Sequence, residues 1–122
     1  MKLLNLAVLP AIFGGSLARM HDFCACQFYH GSRISPTATS LVAMDCSTGY
    51  EYSNSNGLYW IPGNGVKYQG RYLKATSGGR IDGDTFHNAC KRNGGGESYC
   101  FNCSLRQYNN DGTILCNRHD EG

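Results

Sequence analysis

The spacing of apolar residues changes period several times along this chain, and each change marks a predicted element. Residues 1–18 carry one positive side chain, Lys2, ahead of an apolar run (Leu3, Leu4, Leu6, Ala7, Val8, Leu9, Ala11, Ile12, Phe13) that ends on Ser16-Leu17-Ala18. Small residues at the two positions a signal peptidase reads predict a secretory leader cleaved after Ala18, with a mature chain starting at Arg19. Asn5, Pro10 and Gly14-Gly15 interrupt the run, which falls short of the about 20 apolar residues that a membrane span requires. Strand-like alternation follows in Phe23-Cys24-Ala25-Cys26-Gln27-Phe28-Tyr29. Ser35 then suits an N-cap with Pro36 at the first helical position, and Ala38, Leu41, Val42 and Cys46 recur at helical spacing, which predicts a helix over 36–46.

From residue 49 to 76 the pattern breaks into short aromatic runs separated by turns: Tyr50-Glu51-Tyr52, Asn54-Ser55-Asn56-Gly57, Leu58-Tyr59-Trp60-Ile61, Pro62-Gly63-Asn64-Gly65, then 66–75. This reads as two or three antiparallel strands, with Val66, Tyr68 and Tyr72 on a packed face, Lys67, Gln69 and Arg71 on a wet one, and Gly70 marking a bulge. Asp84 is the expected N-cap of a second helix whose Phe86, Ala89 and Cys90 face inward, with Lys91 and Arg92 near the carbonyl end and Gly94 past the stop. Residues 98–105 are the last strong strand. Asn109-Asn110-Asp111-Gly112 is a turn, 113–116 a short extra strand or pinned tail, and 117–122 are expected to be loose. The order strand, helix, hairpin, helix, strand predicts an α+β fold of the split β-α-β (ferredoxin-like) kind. In it an antiparallel sheet carries both helices on one face, as a single domain over 19–122.

Composition adds covalent constraint. All seven cysteines lie beyond residue 18, and a chain of this length buries a modest share of its surface, so disulfides in an oxidising, extracellular location are expected. Cys24 and Cys26 on one strand point the same way, and one of them is expected to hold the second helix through Cys90. Cys46 is expected to reach the last strand, which supplies Cys100 and Cys103, leaving Cys116 as the odd residue and a route to a disulfide-linked homodimer. Full pairing does not follow from spacing. Disulfide chemistry outweighs zinc binding by Cys100, Cys103 and His119, and no metal or cofactor is expected. Asp82-Gly83-Asp84 opens like a calcium loop but lacks the later ligands, and helix capping accounts for it. Asn102-Cys103-Ser104 is a formal N-glycosylation sequon.

The net charge of +2 for the whole sequence argues against wholesale polyanion binding, and no DNA partner is expected. Locally, Lys67, Arg71, Lys74, Arg80, Lys91 and Arg92 oppose only Asp82 and Asp84 within 67–92. That excess is either a solvated face or a patch for phosphate, acidic glycan or anionic lipid. Eight tyrosines and Trp60 serve either cross-strand packing or contact surfaces. Tyr59 and Trp60 beside the 62–65 turn, with Lys67, Arg71 and Lys74, are the candidate binding residues. For catalysis, guanyl-specific extracellular ribonucleases of similar size use a Glu, Arg and His set on a sheet. Glu51 with Arg71 and His87 or His30 offers those types, with no local motif joining them.

Cys24-Ala25-Cys26-Gln27, the helix carrying Thr39 to Cys46, and Phe86 to Cys90 ahead of a cysteine-bearing strand resemble a group of small, cysteine-rich secreted fungal proteins. Many of these are regarded as plant-colonisation effectors, and some share the split β-α-β fold of a virally encoded killer toxin. Asp45-Cys46 and Ala89-Cys90 carry single cysteines where many of that group carry adjacent pairs, and the 50–61 region is longer. The resemblance implies a non-enzymatic effector or toxin that binds a host or competitor surface protein or glycan. A small secreted ribonuclease, or an antimicrobial killer protein acting on anionic cell surfaces, is the alternative.

Overall fold

In the computed structural model, residues 20–53, 60–61 and 67–120 are described, the side chains of 60–61 and 117–119 excepted. The expected leader, Tyr59, the Trp60 side chain, Val66 and the turns at 54–57 and 62–65 therefore lie outside the described residues. The strands are β1 (Met20–His21), β2 (Phe23–Gln27), β3 (Tyr50–Tyr52), β4 (Trp60–Ile61), β5 (Leu73–Ala75), β6 (Ile81–Asp82), β7 (Glu97–Tyr108) and β8 (Ile114–Asp120). The helices are α1 (Pro36–Met44) and α2 (Gly83–Arg92). The main sheet runs β3-β5-β2-β7-β8-β4, and β1 pairs with β6 in a separate ribbon. Every pairing is antiparallel except β4 with β8, a correction to the antiparallel expectation for the strand at 58–61.

β2 is buried at all five positions, because its alternate residues feed two apolar layers. Cys24 and Cys26 face Ala38 and Val42 of α1, Phe86, Ala89 and Cys90 of α2, and Leu73. Phe23 and Ala25 face Tyr72, Phe101, Cys103, Ile114 and Cys116. Both helices thus share one layer of the sheet, and the β7–β8 hairpin supplies the other. Within that second layer Tyr72 meets Phe101 edge-on at 4.9 Å and Tyr68 meets Tyr99 at 5.0 Å, which gives most of the partly or fully buried tyrosines a packing role.

Ser35 caps α1 as its sequence requires, its hydroxyl accepting from the Ala38 N–H, with Pro36 following. The helix stops at Met44, two residues earlier than expected. Asp45 is extended, and its carboxylate accepts from both the N–H and the hydroxyl of Ser47, a local arrangement that competes with helix continuation. Asp82, at the end of β6, caps α2 in place of Asp84, accepting from the Asp84 N–H at 2.9 Å. Gly94, at φ 90°, takes the left-handed conformation that ends α2 where expected. Strand structure in the expected 66–75 run is confined to Leu73–Ala75 among the described residues, whereas β7 and β8 are longer than expected. β8 continues through residues 117–120, expected to be loose, because Arg118, His119 and Asp120 pair with Leu105, Cys103 and Asn102 of β7.

Three disulfides close this frame: Cys24–Cys100, Cys26–Cys90 and Cys103–Cys116. The expected link from the Cys24/Cys26 pair to Cys90 is the one made by Cys26. The other assignments need correction. Cys24 lies directly opposite Cys100 in the β2–β7 register, so Cys100 is taken, and the long β8 carries Cys116 to Cys103. Cys46, beyond the shortened α1, is exposed and is the free cysteine, in place of Cys116.

Candidate functional site

Where α1 begins, the polar connection after β2 and the segment before β5 enclose a groove of about 470 Å³ lined by Arg33, Ile34, Pro36, Thr39, Ser40, Tyr52, Gln69, Gly70 and Arg71. Among the described residues, no acidic side chain lines it. Gly70 lets its wall close tightly, since a Cβ there would sit 3.1 Å from the Ile34 side chain. Arg71 lies over Tyr52, its guanidinium carbon 3.6 Å from the ring centroid, and Arg33 lies over Phe28 at 4.6 Å. Contact with an aromatic ring limits the freedom of each guanidinium group. The first turn of α1 contains no acidic residue, so the positive end of its dipole adds to the same field.

Two further hollows continue from this groove. Tyr52 and Arg71 also line a hollow of about 330 Å³ with Ser53, Tyr108, Asn109 and Thr113. Tyr108 in turn lines a hollow of about 180 Å³ with Asp22, Lys74, Arg80 and Arg106. Asp22 is engaged there: its carboxylate accepts from the Cys103 N–H at 2.9 Å and stands 3.6 Å from both Arg80 and Arg106. Asp111, beside the middle hollow, holds its carboxyl below the ordinary range because the Thr113 hydroxyl and N–H donate to it.

A different chemistry lies across the fold. His21, Gly83, Asp84, His87, Glu97, Ser98 and Cys100 line a hollow of about 370 Å³. Glu97 accepts from His87 Nδ1 at 2.8 Å, and its other oxygen lies 3.5 Å from Nδ1 of the exposed His30. Burial, reinforced by Arg80, lowers the His21 pKa, against smaller opposing effects of Asp120 and Asp22.

The predicted residues are dispersed among these features. Glu51 pairs with Lys74 at 3.6 Å on the β3–β5 edge, Arg71 lies in the stacked groove, and His87 belongs to the Glu97 hollow. The Glu51, Arg71 and His87 set therefore has its members in three different environments. Of the candidate binding residues, Arg71 joins the groove, Lys74 joins the third hollow, and Lys67 leans on Tyr68 at 5.6 Å beside His30 and Glu97. Asn102 spends its carboxamide internally, accepting from Asp22 N–H and Arg80 and donating to Asp120. The sequence reading missed Arg33, Tyr52 and Tyr108 as partners of Arg71. An arginine two residues ahead of the Ser35-Pro36 helix start was the available signal for the first of these.

Among the described residues, no group of three or more His, Cys, Asp or Glu side chains is arranged to hold a metal ion. No described helix is long and apolar enough to cross a membrane. No protein-family model, curated protein or solved structure matches the chain.

Proposed function

We propose that this chain is a secreted, disulfide-stapled protein that acts by binding an anionic component of a host or competitor cell surface, with the Arg33–Arg71 groove as its contact site. The single observation that carries the reading is that two arginines, each against an aromatic ring, line one groove with no acidic residue among its described lining. Arginine presents a planar fork of donors suited to carboxylate, sulfate or phosphate, and a guanidinium already held against an aromatic ring loses less freedom on binding. The effector-like resemblance of the sequence points the same way. The split β-α-β arrangement is part of the proposal: β2 and β5 occupy the centre, β3 and β7 flank them, and α1 and α2 fall in the two crossovers, with β8 and β4 as additions beyond β7.

Titration of the purified chain with galacturonate, followed by amide and guanidinium NMR shifts, tests the reading. Shifts confined to 33–40, Tyr52 and 69–71 are expected. Arg71→Gln should weaken binding about tenfold, since hydrogen bonds to charged groups contribute about 1.5–3 kcal/mol. Shifts elsewhere, or no loss in that variant, would remove the groove from the account.

A second reading, acid–base catalysis on RNA, is favoured by one observation: Glu97 orients His87 through Nδ1 in an open hollow. That contact leaves Nε2 as the nitrogen available for proton transfer. RNA cleavage that is lost in Glu97→Gln, with the fold intact, would promote it over the binding reading.

A further inference from the structure

The groove shares Tyr52 and Arg71 with the second hollow, and the second shares Tyr108 with the third, so the three follow one another as a path longer than one anionic group needs. Along it stand Arg33, Arg71, Lys74, Arg80 and Arg106, and the acidic residues beside them among the described residues are Asp22 and Glu51, each already facing a cation, and Asp111, which accepts from Thr113. Five basic against three acidic side chains is a local excess of two, whereas residues 19–122 carry ten basic and nine acidic side chains in all. Positive charge is therefore concentrated on this path, and the remainder of the chain, including Asp84 and Glu97 around the other hollow, is net negative.

We infer that the ligand of this path is a linear acidic polysaccharide, a polymer with a carboxylate or sulfate on successive sugars, bound from the Arg33–Arg71 groove across Tyr108 to Lys74 and Arg80. The inference rests on the anion-binding reading of the groove and extends it to a substrate class. Two features favour a polysaccharide over its competitors. Single-stranded nucleic acid binds by stacking successive bases on open aromatic faces. Here the Tyr52 ring carries the Arg71 guanidinium, which leaves Tyr108, 60 % exposed, as the open ring among the described lining residues. A sugar chain needs charge at intervals and neutral partners for its hydroxyls, and Ser40 and Gln69 line the groove together with Arg33 and Arg71. An anionic membrane presents a flat surface, for which three concave hollows are a poor match.

Oligogalacturonates of graded length, a homopolymer with one carboxylate per sugar, test this by calorimetry on the intact, oxidised chain. Affinity should rise more than tenfold from the shortest oligomer to one that spans the path. Lys74→Gln and Tyr108→Ala, both at exposed or half-exposed positions, should abolish most of that gain while leaving the shortest oligomer unaffected; near-ultraviolet circular dichroism checks that each variant folds. Arg71→Gln should weaken every length. If all lengths bind alike and Lys74→Gln and Tyr108→Ala change nothing, the extended path fails and the groove stands alone. If no length binds, the groove reading fails with it. Tighter binding of poly(U) than of any oligogalacturonate would overturn the polysaccharide assignment.

Discussion

Gly96 illustrates how a single residue positions the far side of the molecule. Its N–H donates to the Gln27 carbonyl at 3.0 Å, and a Cβ at this position would run into the Phe28 carbonyl oxygen. That oxygen belongs to backbone in the tight turn that Ser32 holds by accepting from the Phe28 and Tyr29 N–H groups, so it cannot simply swing aside. Gly96→Ala is therefore expected to destabilise the fold by about 1–3 kcal/mol. Gly79→Ala, where a Cβ meets only the Ser77 hydroxyl at 3.5 Å, should remain within about 0.5 kcal/mol of the parent. Urea unfolding of both variants checks the contrast. Nothing in the Gly94-Gly95-Gly96 run announces which glycine is sterically obligatory, because the constraint comes from Phe28 in the turn after β2, far upstream in sequence. Ser35-Pro36, by contrast, was legible because both halves of a helix cap are local.

At the scale of elements, the disulfides and the short β1–β6 ribbon carry the testable consequences. Cys26–Cys90 closes a separation of 64 residues and Cys103–Cys116 one of 13. On the chain-entropy account, removing the first pair costs about 4 kcal/mol and the second about 3 kcal/mol. Paired alanine variants at each bridge should follow that order in denaturant midpoint, with α2 the element that loosens when Cys90 is lost. His21, on β1, gives a pH signature. Burial lowers its pKa below the ordinary value of 6.5, with Arg80 adding to the effect and Asp120 and Asp22 opposing it. Asp84, His87 and Glu97 line the same hollow. The unfolded chain therefore takes up this proton first as pH falls. The contribution of His21 to stability is complete above 6.5 and is lost as pH drops through 6.5 towards the lowered value. His21→Asn should lose less stability than the parent when thermal unfolding is compared at about pH 7.5 and pH 5.5. A larger loss in the variant would reverse the assignment. Helix and strand periodicity revealed α1, α2, β2 and β7, but β1 and β6 have two residues each and leave no period to detect.

On the whole-molecule scale, the sequence conveys an α+β chain with two helices and disulfides because those features are local: alternation in β2, capped helical spacing in α1 and α2, and cysteines on β2, α2 and β7. Pairing partners were less legible. Which cysteine is free depended on where α1 stops and how far β8 runs, and both were set by Asp45 side-chain bonding and by tertiary strand pairing. The groove was less legible still, since Arg33, Tyr52 and Arg71 come from three separate segments and acquire a common role only when Gly70 lets the chain close against Ile34. Its proposed task is electrostatic, so ionic strength interrogates it most directly. The affinity of the oxidised chain for a long oligogalacturonate should fall steeply with salt, and the slope of log K against log salt should become shallower by about one for each cation removed from the contact. The decisive measurement is that slope for the parent and for the Arg33→Gln, Arg71→Gln double variant. The account predicts a slope shallower by about two in the variant together with a large loss of affinity at low salt. Equal slopes and equal affinities would contradict it.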